Sequence, residues 1–103
     1  MAKLKLVAAP TFSADVGVPI AGGELSTVRM TFRHRTKTQL QEFVESRGGK
    51  SDADSFMEMV TGWDLEEPFS RESVDTLLEN YGGAGLAAFK VYITELVGAR
   101  LGN

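Results

Sequence analysis

The chain has 103 residues, 43% of them hydrophobic and 24% charged, with a formal net charge of −3 at pH 7. That size fits one globular domain, residues 1–103, burying roughly 60–70% of the surface its unfolded chain exposes. The absence of cysteine excludes a disulfide framework, a thiolate zinc site and a thiol nucleophile, and suits a reducing compartment, the cytoplasm by default.

The opening MAKLKLVAAP carries two lysines, and its apolar run from Leu6 to Ala9 is too short for the apolar segment of a signal peptide or for a membrane span. Residues 1–10 are expected to be the flexible part of the domain. Charge is unevenly spread: residues 1–41 sum to +4, residues 42–79 to −8 and residues 80–103 to +1. This polarity suits either head-to-tail alignment of copies and attraction of a basic partner, or ordinary solvation of exposed helix faces.

Phe12, Ala14, Val16 and Val18 alternate with small or polar residues, and Val28, Met30 and Phe32 alternate with Thr27, Arg29, Thr31 and Arg33. Both read as half-buried strands. Pro19, Gly22 and Gly23 lie between them, so the pair is expected to form an antiparallel hairpin with one wet and one covered face. Helices must supply the cover.

The first is expected to open at Thr38, with Gln41 completing a capping box, and to bury Leu40, Phe43 and Val44 before Gly48 and Gly49 stop it. The second starts at Ser51, with Asp52 and Asp54 at its positive end, and presents Phe56, Met59 and Val60 until Gly62. Pro68 cannot lie inside a helix, Ser70 is a good N-cap and Phe69 can staple onto Val74, so GWDLEEPFS at residues 62–70 is an entrance to a third helix. Glu72 and Asp75 are assigned to the first turn of that helix, and Val74, Leu77, Leu78 and Tyr81 to its buried face, with Trp63 and Leu65 beneath it. The last helix is expected over Ala84 to Leu101. Leu86, Phe89, Ile93, Leu96 and Val97 fall on one face, and Ala88, Tyr92 and Ala99 widen it to about half the circumference, more than the stripe of little over 100° that a single core needs. Either this is a central helix with neighbours on two sides, or part of the arc is an oligomer or partner surface.

The fold class is therefore α+β: an N-terminal antiparallel hairpin or small sheet packed against about four helices, with a long C-terminal helix. No catalytic or metal residues and no cofactor are assigned. The single histidine, His34, sits among Arg33, Arg35 and Lys37 with no carboxylate placed in sequence to orient it. No nucleophile elbow occurs. Asp52, Asp54 and Glu58 lack the glycine and the further oxygen ligands of a calcium loop. The GGAGLA run at residues 82–87 follows a helix, not a strand, and lacks the later residues of a phosphate cradle. Arg29, Arg33, Arg35 and Lys37 make at most a local basic patch on an acidic chain, so no nucleic acid and no membrane are expected as partners.

The run from Gly62 to Asn103 closely resembles the C-terminal half of the tail assembly chaperones of long-tailed phages and prophages. The similarity lies in Trp63-Asp64-Leu65, an acidic link, Pro68-Phe69-Ser70, a helix with Val74, Leu77 and Leu78, the turn after Asn80-Tyr81, and a long apolar helix closing in Glu95-Leu96 and Ala99-Arg100. The strands in VPIAGGELSTVRMTFRHRT, residues 18–36, extend it upstream, whereas residues 1–10 match weakly. Gly82 departs from the family pattern, which carries proline there. The resemblance implies a non-catalytic protein of the bacterial host cytoplasm, absent from the finished virion. Such a protein binds the tape measure protein, keeps its apolar helical stretches soluble until the tail tube polymerises, and self-associates. It also implies a longer frameshifted form that recruits the tail tube protein, of which this chain looks like the short version. Trp63, Asp64, Leu65, Pro68, Phe69, Ser70 and Tyr81 are assigned structural roles, and Ala88, Phe89, Tyr92 and Ala99 are the expected partner contacts. On that basis Tyr92→Glu or Ala88→Glu is expected to spare the fold and abolish client solubilisation or self-association. The alternatives are a structural virion subunit, such as a tail or connector protein, and a small nucleic-acid-binding regulator.

Overall fold

A computed structural model describes residues 4–98. The elements run β1 (Thr11–Pro19), β2 (Leu25–Arg33), α1 (Lys37–Ser46), a 3-10 turn (Arg47–Gly49), α2 (Asp52–Met59), β3 (Val60–Trp63), α3 (Arg71–Asn80) and α4 (Ala84–Val97). The class is α+β: three antiparallel strands in the order β1-β2-β3, with helices against one face.

The hairpin register pairs Phe12 with Phe32, Ala14 with Met30 and Val16 with Val28. Because side chains alternate across a strand, these apolar residues share one face. Ala14, Val16, Val18, Val28, Met30 and Phe32 are buried there, while Ser13, Asp15, Thr27 and Arg29 on the other face are exposed. Gly22 and Gly23 adopt φ of 106° and 92° in the connecting turn, a region that only glycine enters at little cost.

Three boundaries and the burial of one residue differ from the sequence expectation. The helix α1 capping box is Thr36 with Gln39, not Thr38 with Gln41: the Thr36 side chain accepts from Gln39 N, and Thr36 N donates to Gln39 Oε1. TKTQLQ contains the two spacings in overlapping registers. The anchored Arg35 just before Thr36, bonded to the Glu58 carbonyl and to Tyr92, settles which is used. Val44 is exposed, since α1 buries only Leu40 and Phe43. Val60 belongs to β3 and Gly62 lies within that strand rather than ending a helix. The helix α2 ends at Met59 because pairing with β2, Phe32 to Val60 and Met30 to Trp63, satisfies the backbone in an extended form. Finally, α4 stops at Val97 with Gly98 in the left-handed region at φ 70°. The expected extension to Leu101, Ala99 included, lies outside the described residues.

The buried residues form one cluster. Along β1, α4 lies lengthwise: Gly83 at its start comes so close to Pro19 that a Cβ there would stand 3.1 Å from the proline Cγ, and Tyr92 stacks on Phe12 with ring centroids 6.1 Å apart. Its other neighbours include α2 and α3, and Phe43 of α1 meets Tyr92 edge-on. The wide apolar arc is thus explained by neighbours on two sides, the first of the two readings left open by the sequence.

Candidate partner-binding groove

The third helix α3 leans mainly on α2 and α4, and a groove runs between it and the end of the sheet. Its volume is about 550 Å³. The buried Val18, Val28 and Leu77 form the floor, the half-buried Ile20, Trp63 and Leu65 the walls, and the exposed Tyr81 one end. Glu67 and Glu72 stand on its rim with Ser73, Thr76 and Asn80. This is an apolar channel edged with negative charge.

The segment from Trp63 to Ser70 fixes the groove's shape through its own bonds. Asp64 clamps the sheet edge: its Oδ1 accepts from Arg29 N at 3.0 Å and its N–H donates to the Arg29 carbonyl at 3.1 Å. Trp63 Nε1 donates to the Glu67 carbonyl at 2.8 Å, closing the acidic link over the indole. Phe69 meets Trp63 edge-on, centroids 5.0 Å apart, the favoured T-shaped arrangement. Ser70 is the N-cap of α3, accepting from Ser73 N at 3.1 Å, while Ser73 Oγ donates to the Pro68 carbonyl at 2.8 Å. Glu72 lies in the first turn of α3, whereas Asp75 lies beyond it and pairs with Arg71 across one turn at 3.1 Å. Leu65 packs partly against the core. Tyr81, expected on the buried face, is 41% exposed, because it follows the last turn of α3 and its backbone leaves helical geometry.

The expected contact residues of α4 have other surroundings. Ala88 and Tyr92 are both fully buried. The Tyr92 ring stacks on Phe12 and Phe32 and meets Phe43 edge-on at 5.9 Å. Its hydroxyl donates to the Arg33 carbonyl at 2.7 Å and accepts from Arg35 Nη1 at 2.9 Å. Phe89 is half-buried beneath Arg47, whose guanidinium carbon stands 3.6 Å from the ring centroid. The exposed large apolar residues of α4 are Leu86 and Val97, eleven residues apart and therefore about 16 Å along the helix. The expectation that Tyr92→Glu or Ala88→Glu spares the fold is corrected accordingly, as either would place a carboxylate in the dry core.

A second, shallow cleft of about 470 Å³ holds His34 with Arg33, Arg35, Gln39, Glu42, Phe43, Ser46 and Glu58. Ser46 Oγ donates to the Phe43 carbonyl at 2.9 Å and accepts from Lys50 at 3.0 Å, so its proton is not offered to the imidazole. Of the basic residues on and after β2, Arg29 pairs with Asp15 at 3.0 Å and Arg35 is anchored inside, which leaves Arg33 and Lys37. Among the described residues no three His, Asp or Glu side chains are grouped to hold a metal, and no helix is long and apolar enough to cross a membrane.

The described residues form a small α+β scaffold that presents an apolar groove. A family model described as phage tail assembly chaperone matches residues 1–103, the whole chain, and the chain belongs to that family. No curated protein and no solved structure matches it.

Proposed function

We propose that this chain acts without catalysis, in the bacterial host cytoplasm, by seating an apolar helical stretch of the tape measure protein in the groove between the hairpin and α3. The client stays soluble there until the tail tube polymerises, and the chaperone is left out of the virion. The observation that carries the reading is the groove itself, an apolar channel with half-buried walls and an acidic rim on a protein of the tail assembly chaperone family. Seating three or four Leu-sized side chains is worth about 5–12 kcal/mol, against an association cost of about 4–15 kcal/mol. Binding at one groove is therefore weak, and many copies along one client would hold it by avidity while each stays displaceable.

The test is co-expression with the tape measure protein, comparing the natural chain with an Ile20→Glu/Tyr81→Glu variant. Both positions flank the groove without filling the core, so the variant keeps its circular dichroism spectrum and is expected to lose the client to the insoluble fraction. A variant that still solubilises the client removes the groove from the function. Mass spectrometry of purified particles is expected to find no copies of the chain, and finding them in stoichiometric amounts would make it a virion subunit.

A further inference from the structure

The groove between the hairpin and α3 offers a guest oxygens rather than hydrogens. Its charged side chains, Glu67 and Glu72, can only accept, and no lysine or arginine lines it among the described residues. Neither carboxylate forms an ion pair among the described residues. Arg71, next to Glu72 in sequence, is spent on Asp54 at 2.8 Å and Asp75 at 3.1 Å. The neutral groups repeat the bias. Trp63 Nε1 gives its one proton to the Glu67 carbonyl, Ser73 Oγ to the Pro68 carbonyl at 2.8 Å and Thr76 Oγ1 to the Glu72 carbonyl at 3.1 Å. Ser73 and Thr76 keep only lone pairs for a guest.

We infer that the segment seated in this groove is a cationic amphipathic helix, whose lysines or arginines border its apolar stripe and meet Glu67 and Glu72. The chemistry of the guest rests on the groove reading given above and adds to it a rule of selection. Apolar area holds the guest, while rim charges of opposite sign choose which guest is held and how fast it arrives. A flank of glutamates would set like charges against Glu67 and Glu72, and a rim of acceptors has no proton to return to them. Size agrees with a helix. Glu72 and Asn80, both lining the groove, stand eight residues apart on α3, about 12 Å or two turns. Two turns of a guest helix present anchors at i, i+3, i+4 and i+7. Glu72 also favours the positive end of α3, so its role in selection is read from binding and not from stability.

The probes are synthetic helical peptides of about 18 residues, long enough to hold a helix, with one leucine stripe flanked by lysine, glutamine or glutamate and free of tryptophan. Trp63, the single tryptophan of the chain, stands in the groove wall, so its fluorescence reports occupancy in the intact protein. The lysine peptide is expected to bind at least about fivefold more tightly than the glutamate peptide, a ratio suited to two exposed charge pairs. That ratio should shrink in roughly 0.5 M salt. Glu67→Gln/Glu72→Gln should bring it close to one and Glu67→Lys/Glu72→Lys should invert it, which no loss of folding can do. Glu79→Gln/Glu95→Gln removes the same charge from positions that do not line the groove and should leave the ratio standing. Equal binding of the lysine and glutamate peptides to the natural chain overturns the inference and spares the groove reading. A preference that survives Glu67→Gln/Glu72→Gln, or that vanishes with Glu79→Gln/Glu95→Gln, overturns it too, since net charge and not the rim then selects. Fluorescence unmoved by all three peptides overturns both.

Discussion

The Tyr92 hydroxyl lies between the Arg33 carbonyl and the Arg35 guanidinium, at 2.7 and 2.9 Å, with three phenylalanine rings around its own ring. It ties α4 to the end of β2 and to the strand-to-helix connection. Tyr92→Phe keeps the rings in contact but leaves the carbonyl and one guanidinium N–H without their partner, so it is expected to cost about 1–3 kcal/mol, read as a lower urea midpoint at unchanged slope. Tyr92→Glu is expected to leave no folded protein, as it removes the ring stack and buries a charge. A weaker, titratable link joins α2 to α3, where Arg71 bonds Asp54 at 2.8 Å. The Arg71 bond, helped by the Ser51 side chain, holds the Asp54 carboxyl below its ordinary value of 3.8. A carboxylate with a depressed folded value stabilises the fold above its unfolded value, and that contribution is lost as pH falls through the folded one. The difference in urea midpoint between the natural chain and Asp54→Asn is therefore expected at neutral pH and should shrink as pH falls below the ordinary value of 3.8. Both groups are exposed, so added salt should shrink it.

Helix ends decide how the elements are cut. Ser70 caps α3 with one bond to Ser73 N. Ser70→Ala is expected to cost about 1 kcal/mol, and Ser70→Asp to recover most of it, since aspartate caps equally well and favours the positive end of the helix. Gly98 ends α4 at a φ of 70°, and Gly98→Ala should cost about 1–2 kcal/mol for the left-handed backbone. Thermal or urea unfolding of the three variants checks both. The termini legible in sequence were those with one strong signal: Ser51 and Ser70 cap as expected. Those with two equivalent signals were not. Thr36 and Thr38 offer the same chemistry, and Val60 suits the end of a helix as well as the start of a strand. In each case the partner across space, Arg35 in its network or β2 at its edge, made the choice.

At the scale of the molecule, the sheet depends on helices that follow it in the chain. The covered face of the hairpin is closed by α4, with lesser contact from α2, and β3 adds four residues to β2. A peptide of residues 4–33 is therefore expected to be unfolded by circular dichroism, as a two-stranded hairpin with an open apolar face is marginal alone. The intact chain should unfold in one cooperative transition, because its buried residues form a single cluster.

What the sequence determined by itself was periodic: strand alternation, helix stripes, the turn at Gly22 and Gly23, the entrance around Pro68 to Ser70, and a resemblance concentrated in Trp63 to Ser70. Those features are local, because spacing along the chain fixes which side chains share a face. Only the tertiary structure decided which faces were already taken. The apolar arc of α4 has the same pattern whether its far side meets water, a partner or another helix, and the folded chain puts α2 and α3 there. The groove was invisible for the same reason. Val18, Trp63 and Leu77 are scattered along the sequence and become one surface only because α3, resting on α2 and α4, faces the end of the sheet across a groove.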